Sequence, residues 1–213
     1  MNAKELVSKL HWLGHDSFRL EGPVVVYFDP WKLAKKQPPA DLVLVSHEHF
    51  DHCSPEDIEK VRGRGTVIVA NAGSADKSPG ARLVRPGDQL ALAGLEIEAV
   101  PAYNTNKFRS EGVPFHPREA KHVGYVVTVG GVRLYFAGDT DHIPEMADIR
   151  CDVALLPVSG TYVMTVEEAV EAARTLQPEI VVPMHYGSGI GTEHDGERFA
   201  RLYEGQTALL QRE

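Results

Sequence analysis

Asp41-Leu-Val-Leu-Val-Ser46 runs without a break into His47-Glu48-His49-Phe50-Asp51-His52. A short apolar segment bounded by polar residues has the length and composition of a buried strand. Ligand-type side chains follow it at once. Two later segments repeat the arrangement: Val132-Arg-Leu-Tyr-Phe136 leads to Ala-Gly-Asp139-Thr140-Asp141, and Glu179-Ile-Val-Val-Pro-Met184 leads to His185. Three buried strands therefore deliver imidazole or carboxylate at a C-terminal edge, where α/β folds commonly build their sites. In an extended segment His47, His49 and Asp51 alternate onto one side and converge, while His52 points elsewhere and reaches a second centre. Imidazole nitrogen with carboxylate oxygen suits zinc, manganese or iron, whereas calcium prefers an all-oxygen shell. His47, His49, Asp51, His52, Asp139 and His185 outnumber the donors one tetrahedral ion needs, so one or two divalent ions are expected, zinc first. A lone histidine is more often a core or surface residue. The concentration of donors behind a strand carries the reading.

Working outward, the remaining apolar runs predict strands at Val24–Phe28, Thr66–Ala70, Leu95–Val100, Tyr125–Val129, Val153–Leu156 and Ile180–Val182. Gly130-Gly131 separates two of the predicted strands with the spacing of a two-residue hairpin. Ser54-Pro55-Glu56-Asp57 reads as a helix N-cap followed by proline and acids in the first turn. Thr165 and Glu168 have capping-box spacing, Val166, Ala169, Val170, Ala173 and Leu176 share one helical face behind them, and Pro178 ends the run. A third helix is expected from Asp195, with Phe199, Leu202 and Tyr203 turned inward. Strands apolar on both faces call for sheets covered by helices, an α/β architecture in one domain over 1–213. Residues 103–123 lack periodicity and read as a long surface loop, of the kind that is usually functional or mobile.

His-Glu-His-Phe-Asp-His at 47–52 resembles the HxHxDH signature of the metallo-β-lactamase superfamily, Gly138-Asp139-Thr140 resembles its bridging-aspartate motif, and His185 matches its last histidine. Leu13-Gly14-His15-Asp16-Ser17-Phe18 and Asp29-Pro30-Trp31 resemble the opening segments of its compact subgroup of metal-dependent hydrolases, which includes enzymes similar to ascorbate-phosphate lactonase. The resemblance covers nearly the whole chain. It implies a four-layer αββα sandwich, two mixed β-sheets flanked by helices, with the site at one edge. It implies that His47 and His49 hold a first metal, that Asp51, His52 and His185 hold a second, and that Asp139 bridges them. Asp51 and Asp139 are then the catalytic carboxylates, the ions activating a shared water and Asp51 orienting it. The third histidine that the family places after a middle strand is absent: Leu95–Val100 runs into Pro101-Ala102-Tyr103-Asn104. Asn104 becomes a substrate contact or an extra ligand. His116 and His122 are candidate substitutes, with His116 read as a lid residue over the substrate ahead of direct ligation. His15 and Asp29 are expected behind the ligands, Asp29 fixing a histidine tautomer.

Acidic residues exceed basic ones, giving a formal charge of −8. That balance disfavours nucleic acid as partner and leaves a small-molecule substrate, whose anionic character Lys107, Arg109, Arg118 and Lys121 favour slightly. Gly187–Gly191 is a weak candidate for an amide cradle of phosphate. Cys53 and Cys151 make no disulfide scaffold, no apolar run suits a bilayer, and no secretory pattern opens the sequence; a cytoplasmic protein is the default, with homo-oligomerisation left open. The expected activity is metal-dependent hydrolysis of a small ester, lactone or phosphodiester. Alternatives are a nuclease of the same fold, a di-iron redox protein and a non-catalytic metal-binding module. The chain lacks the basic extension that marks the first, and it has His49 where the second carries glutamate.

Overall fold

Alternation along the strands sets the layers of the computed structural model, which describes residues 1–34, 36–187 and 189–213. The first sheet orders β1 (Leu10–Gly14), β2 (Ser17–Glu21), β3 (Val25–Phe28), β4 (Ala40–Val45), β5 (Arg62–Asn71) and β6 (Arg82–Val84) side by side. β1, β2 and β3 pair antiparallel, and β3 through β6 pair parallel. Val26, Phe28, Leu42 and Leu44 turn toward the second sheet. Their neighbours Tyr27, Val43 and Val45 turn the other way, onto Ile58 and Val61 of a helix. Period-two alternation with apolar residues on both faces is what a sheet covered on both sides requires.

The second sheet begins with β7 (Gln89–Leu92) and β8 (Leu95–Pro101); β9 (Phe108–Ser110) and β10 (Val113–Pro114) form a separate hairpin. The sheet resumes with β11 (Val123–Val129), β12 (Val132–Phe136), β13 (Val153–Pro157), β14 (Ile180–Met184) and β15 (Gln206–Thr207), in the order β15-β14-β13-β12-β11-β8-β7. It too is mixed, antiparallel from β7 to β12 and parallel from β12 to β15. Val129 pairs with Val132 across Gly130-Gly131, whose φ values of 57° and 82° fit the left-handed hairpin turn that glycine allows. Phe28 and Phe136 meet between the sheets with ring centroids 5.1 Å apart. Burying a side chain of this size contributes about 1.5–3 kcal/mol.

The helices are α1 (Ala3–Val7), α2 (Pro55–Val61), α3 (Val166–Leu176) and α4 (Asp195–Leu202). Ser54 caps α2, and Thr165 with Glu168 forms the capping box of α3, which ends in left-handed Gln177 before Pro178. α2 covers the first sheet, and α3 and α4 lie against β13 and β14 of the second, completing the αββα sandwich. α4 buries Phe199, but Leu202 is 43% exposed, contrary to the expected inward face. The helix stops there, and Tyr203 instead packs its ring on Phe199 at 5.4 Å. Among the described residues no helix is long and apolar enough to cross a membrane.

Residues 103–123 are not a surface loop throughout. They hold the β9–β10 hairpin and a 3-10 turn at Arg118–Ala120, and their ends fold inward. Ala102 N donates to His122 O, and Asn104 N donates to His116 O. Asp141, one of the residues after β12, accepts from Thr105 N, Asn106 N and the Asn104 amide, pinning the segment to the second sheet.

Candidate metal centre

The parallel strands end on one edge, where their loops bring the predicted donors together. His47-Glu48-His49-Phe50-Asp51-His52 does not stay extended: His52 N and Cys53 N both donate to His49 O, so the motif is a turn leading to the cap of α2. Turning replaces alternation as the means of convergence. His47 Nε2 lies 3.0 Å from His49 Nδ1, and His116 Nε2 lies 3.3 Å from the same nitrogen. Across from them, Asp139 Oδ1 is 3.4 Å from His52 Nε2, and Asp139 Oδ2 is 3.2 Å from His116 Nε2 and 3.5 Å from His185 Nε2. Asp51 stands at the edge of the second group, Oδ1 3.9 Å from His52 Nε2 and Oδ2 3.4 Å from His15 Nε2.

His47, His52, His116 and His185 are each aimed by the hydrogen bond of the other nitrogen. Asp29, ending β3, accepts from Ser46 N, from the Ser46 hydroxyl and from His52 Nδ1. With its proton given to Asp29, the Ser46 hydroxyl accepts from His47 Nδ1. Ser159 accepts from His185 Nδ1, and Asn104 Oδ1 accepts from His116 Nδ1. Four histidines thereby present Nε2 to the centre, the tautomer control that ligand histidines need. Backbone strain collects here as well: His15, Asp29 and His185 are non-glycine residues at φ 54°, 39° and 56°, a conformation that persists where the surroundings hold it.

Asn104, expected as a substrate contact or ligand, is committed elsewhere. Its oxygen accepts from His116 N and Nδ1, and its amide donates to Asp141 and to Tyr162 O. That uses its full side-chain capacity. His116, expected on a lid, is 1% exposed and lies inside the donor group, because Asn104 draws it there. His122 sits beside His47 but bonds Glu48, whose carboxyl is pulled down to about 2 chiefly by that histidine. Lys107 and Arg118 pair with Glu168 and Glu145, so their charge is not held free for a substrate. The Gly187–Gly191 run includes Ser188, which lies outside the described residues.

Electrostatics separates the two groups. Burial holds His47 well below the ordinary imidazole value and pushes His116 down to about 3, so both lone pairs are available to a cation. For His52 burial also opposes the proton, but Asp139, Asp29 and Asp16 outweigh it and raise the imidazole; Asp139 and Asp16 do the same for His185. Burial pushes the Asp139 carboxyl upward, and the imidazoles of His52, His185 and His116 overcome it and hold the group ionised.

The donor set fits divalent ions. Tetrahedral bonds of the zinc–nitrogen kind place neighbouring donors about 3.3 Å apart, and the separations given above run from 3.0 to 3.5 Å, with Asp51 wider at 3.9 Å from His52. His15 Nε2, His52 Nε2, Asp139 Oδ1 and both oxygens of Asp16 are buried without a hydrogen-bond partner, and orphaned polar atoms concentrated in one place signal a missing partner. Asp16 had no signal of its own in the sequence: it follows His15 in the turn from β1 to β2, away from any strand end of the parallel set. His15 packs its ring 4.2 Å from that of His185. A cavity of about 60 Å³ beside it is lined by Leu13, Trp31, Lys32, Gly187 and Ile190 among others. Larger surface cavities, along β8 and near Glu145, contain none of these donors.

An αββα sandwich with buried imidazoles and carboxylates at its strand edge defines a metallo-hydrolase scaffold. The β-lactamase superfamily domain matches residues 9–185, and the chain belongs to that family. A metal-dependent hydrolase of Methanoculleus marisnigri is 35% identical, covering 94% of this chain and 91% of its own. One of Thermococcus kodakarensis is 36% identical, with 91% of each chain covered. The crystal structure of a Parabacteroides distasonis protein, provisionally named a metal-dependent hydrolase, superposes with a TM-score of 0.85 at 36% identity over 96% of this chain and 93% of that one.

Proposed function

We propose that this chain is a metal-dependent hydrolase of a small ester, lactone or phosphodiester, working at a centre for two ions. His47, His49 and His116 are the residues for one ion and Asp51, His52 and His185 those for the other. Asp139 stands between. The observation that carries this reading is the division of Asp139: one oxygen faces His52, the other faces His116 and His185. Divalent ions bound there supply an activated water and polarise the bond under attack. The three-imidazole group suits zinc, with manganese or iron as alternatives.

The chain's own residues do the rest. Asp51, partly exposed and held ionised by His15 and His52 against burial, orients an attacking water by accepting its hydrogen bond. The Asp29–Ser46 relay keeps His47 and His52 in one tautomer through a cycle of proton movement. Trp31 and Phe50, rings 5.9 Å apart, flank the Asp51 side, and Phe115 with Tyr162, 4.6 Å apart, flanks the His116 side. Phe50 is 70% and Tyr162 42% exposed, so these rings offer apolar contact to a substrate entering from solvent. The test is elemental analysis of metal-replete protein together with a hydrolysis panel of lactones, esters and phosphodiesters. Two equivalents in the wild type and one in His116→Ala support the assignment. Full metal content in that variant at wild-type affinity refutes it.

A further inference from the structure

We infer that Asp16 is itself a ligand of the ion held by His52 and His185, which makes this centre richer in carboxylate than the one built on His47, His49 and His116. The inference rests on the two-ion reading above and extends it. Asp16 is fully buried, and neither of its oxygens has a hydrogen-bond partner. Its oxygen lies with donor atoms of His52, Asp139 and His185 in a group whose members are all within 4.8 Å of one another. His52 Nδ1, 3.9 Å from Asp16 Oδ2, already donates to Asp29, and Asp139, held ionised by the imidazoles around it, offers Asp16 no proton. A buried carboxylate without a donor is among the costlier features a fold can retain. A cation at the centre of that group removes the cost for both acids at once.

Charge leads the same way. Two dications buried together need counter-charges. His47, His49 and His116 contribute none as neutral imidazoles, and Asp29 is occupied by Ser46 and His52. Asp51 and Asp139 alone leave an excess of two positive charges, and Asp16 halves it. Its carboxylate enters on the His52–His185 side, so the two centres differ in hardness. Oxygen-rich shells favour manganese over zinc relative to imidazole-rich ones. The structure thus predicts unequal metal preference at two positions a few ångströms apart.

The experiment compares wild type and Asp16→Asn, an isosteric change, after metal depletion. Each protein is titrated with Mn²⁺ and with Zn²⁺ by calorimetry, and the bound Mn²⁺ is followed by electron paramagnetic resonance. The wild type is expected to take two equivalents. Asp16→Asn should weaken Mn²⁺ binding at the second position by tenfold or more and leave the tighter Zn²⁺ equivalent unchanged. Thermal melts with chelator give a second readout, independent of metal affinity. Without metal the variant should melt at or above the wild-type temperature, since it removes an unsatisfied buried carboxylate; with Mn²⁺ the order should reverse. Equal Mn²⁺ affinity in both proteins overturns the inference. So does a metal-free variant that melts well below the wild type, which would make Asp16 a proton-sharing structural partner of Asp139. If the wild type itself binds a single equivalent, the two-ion reading fails first.

Discussion

Replacing Asn104 by alanine tests how this chain supplies the donor that a strand end does not. The side chain makes four hydrogen bonds, two accepted from His116 and two donated, to Asp141 and, part-buried, to Tyr162 O. At about 1 kcal/mol net each, with some replacement by water, their removal should cost the metal-free protein about 3 kcal/mol. For a chain of this size that lowers Tm by roughly 6–12 °C. Loss of the partner that orients a ligand histidine should also weaken metal binding by about 10–100-fold. Asn104→Asp should not rescue either property. An aspartate keeps the acceptor for His116 but loses both amide protons, and it sets a second carboxylate about where Nδ2 now lies, 3.1 Å from Asp141 Oδ1. Melts with chelator and calorimetric titration with Zn²⁺ measure the two effects separately. Wild-type Zn²⁺ affinity in Asn104→Ala would refute the argument that Asn104 holds His116 in place, whatever the change in Tm.

Chelation should lower Tm but leave a cooperative transition, because the Phe28–Phe136 core and the alternating strands are independent of the donor groups. Metal at 1,000 times its Kd contributes about 4 kcal/mol, or roughly 8–16 °C here, and loss of cooperativity on chelation would contradict this. Burial pushes the Asp57 carboxyl upward, but hydrogen bonds from Lys60, Ser54 and Leu33 N outweigh it and hold the group below its ordinary value. A folded pKa that is depressed gives stability that is present above about pH 4 and lost as the pH falls through the folded value. In chelator, the wild type should therefore lose Tm more steeply than Asp57→Asn between pH 5 and 3, and parallel curves would remove Asp57 as a source of acid sensitivity.

The strands that periodicity made legible are the central ones, the antiparallel β8 and β11 as well as the parallel set. Val132–Phe136 is found at its expected bounds and Leu42–Val45 lies within β4, because apolar residues on both faces leave no other element able to bury them. The edge pieces were not legible. β1 and β2 interleave His11, Arg19 and Glu21 with apolar residues, and β6 and β7 are short and half-exposed. Their state is decided by pairing with a neighbouring strand, which their own apolar pattern does not state. The caps of α2 and α3 were legible for the opposite reason: Ser54 and Thr165 act on backbone amides within three residues.

The donor groups divide along the same line. His47, His49, His52, Asp139 and His185 follow strands, so the pattern that fixes a strand also fixes where its next residues emerge. His116 follows only the two-residue β10, which belongs to neither large sheet. It comes to His49 only because residues 104–116 close on themselves, and a loop of that length costs about 2 kcal/mol to close. The cost is offset by bonds that are non-local and polar: Asp141 holds Thr105 N and Asn106 N, and Asn104 takes His116 by backbone and side chain together. Read along the chain, Asn104 stands where a ligand is expected and looks like a loss. In three dimensions the amide does a different task, recruiting an imidazole from twelve residues away and setting its tautomer. Asp16 escaped notice on the same physical ground, since nothing local marks a carboxylate whose partners come from other strand ends. A sequence states ligand chemistry where secondary structure aims it. Where tertiary hydrogen bonds do the aiming, the residue to look for is the unremarkable polar one with all its bonding capacity used.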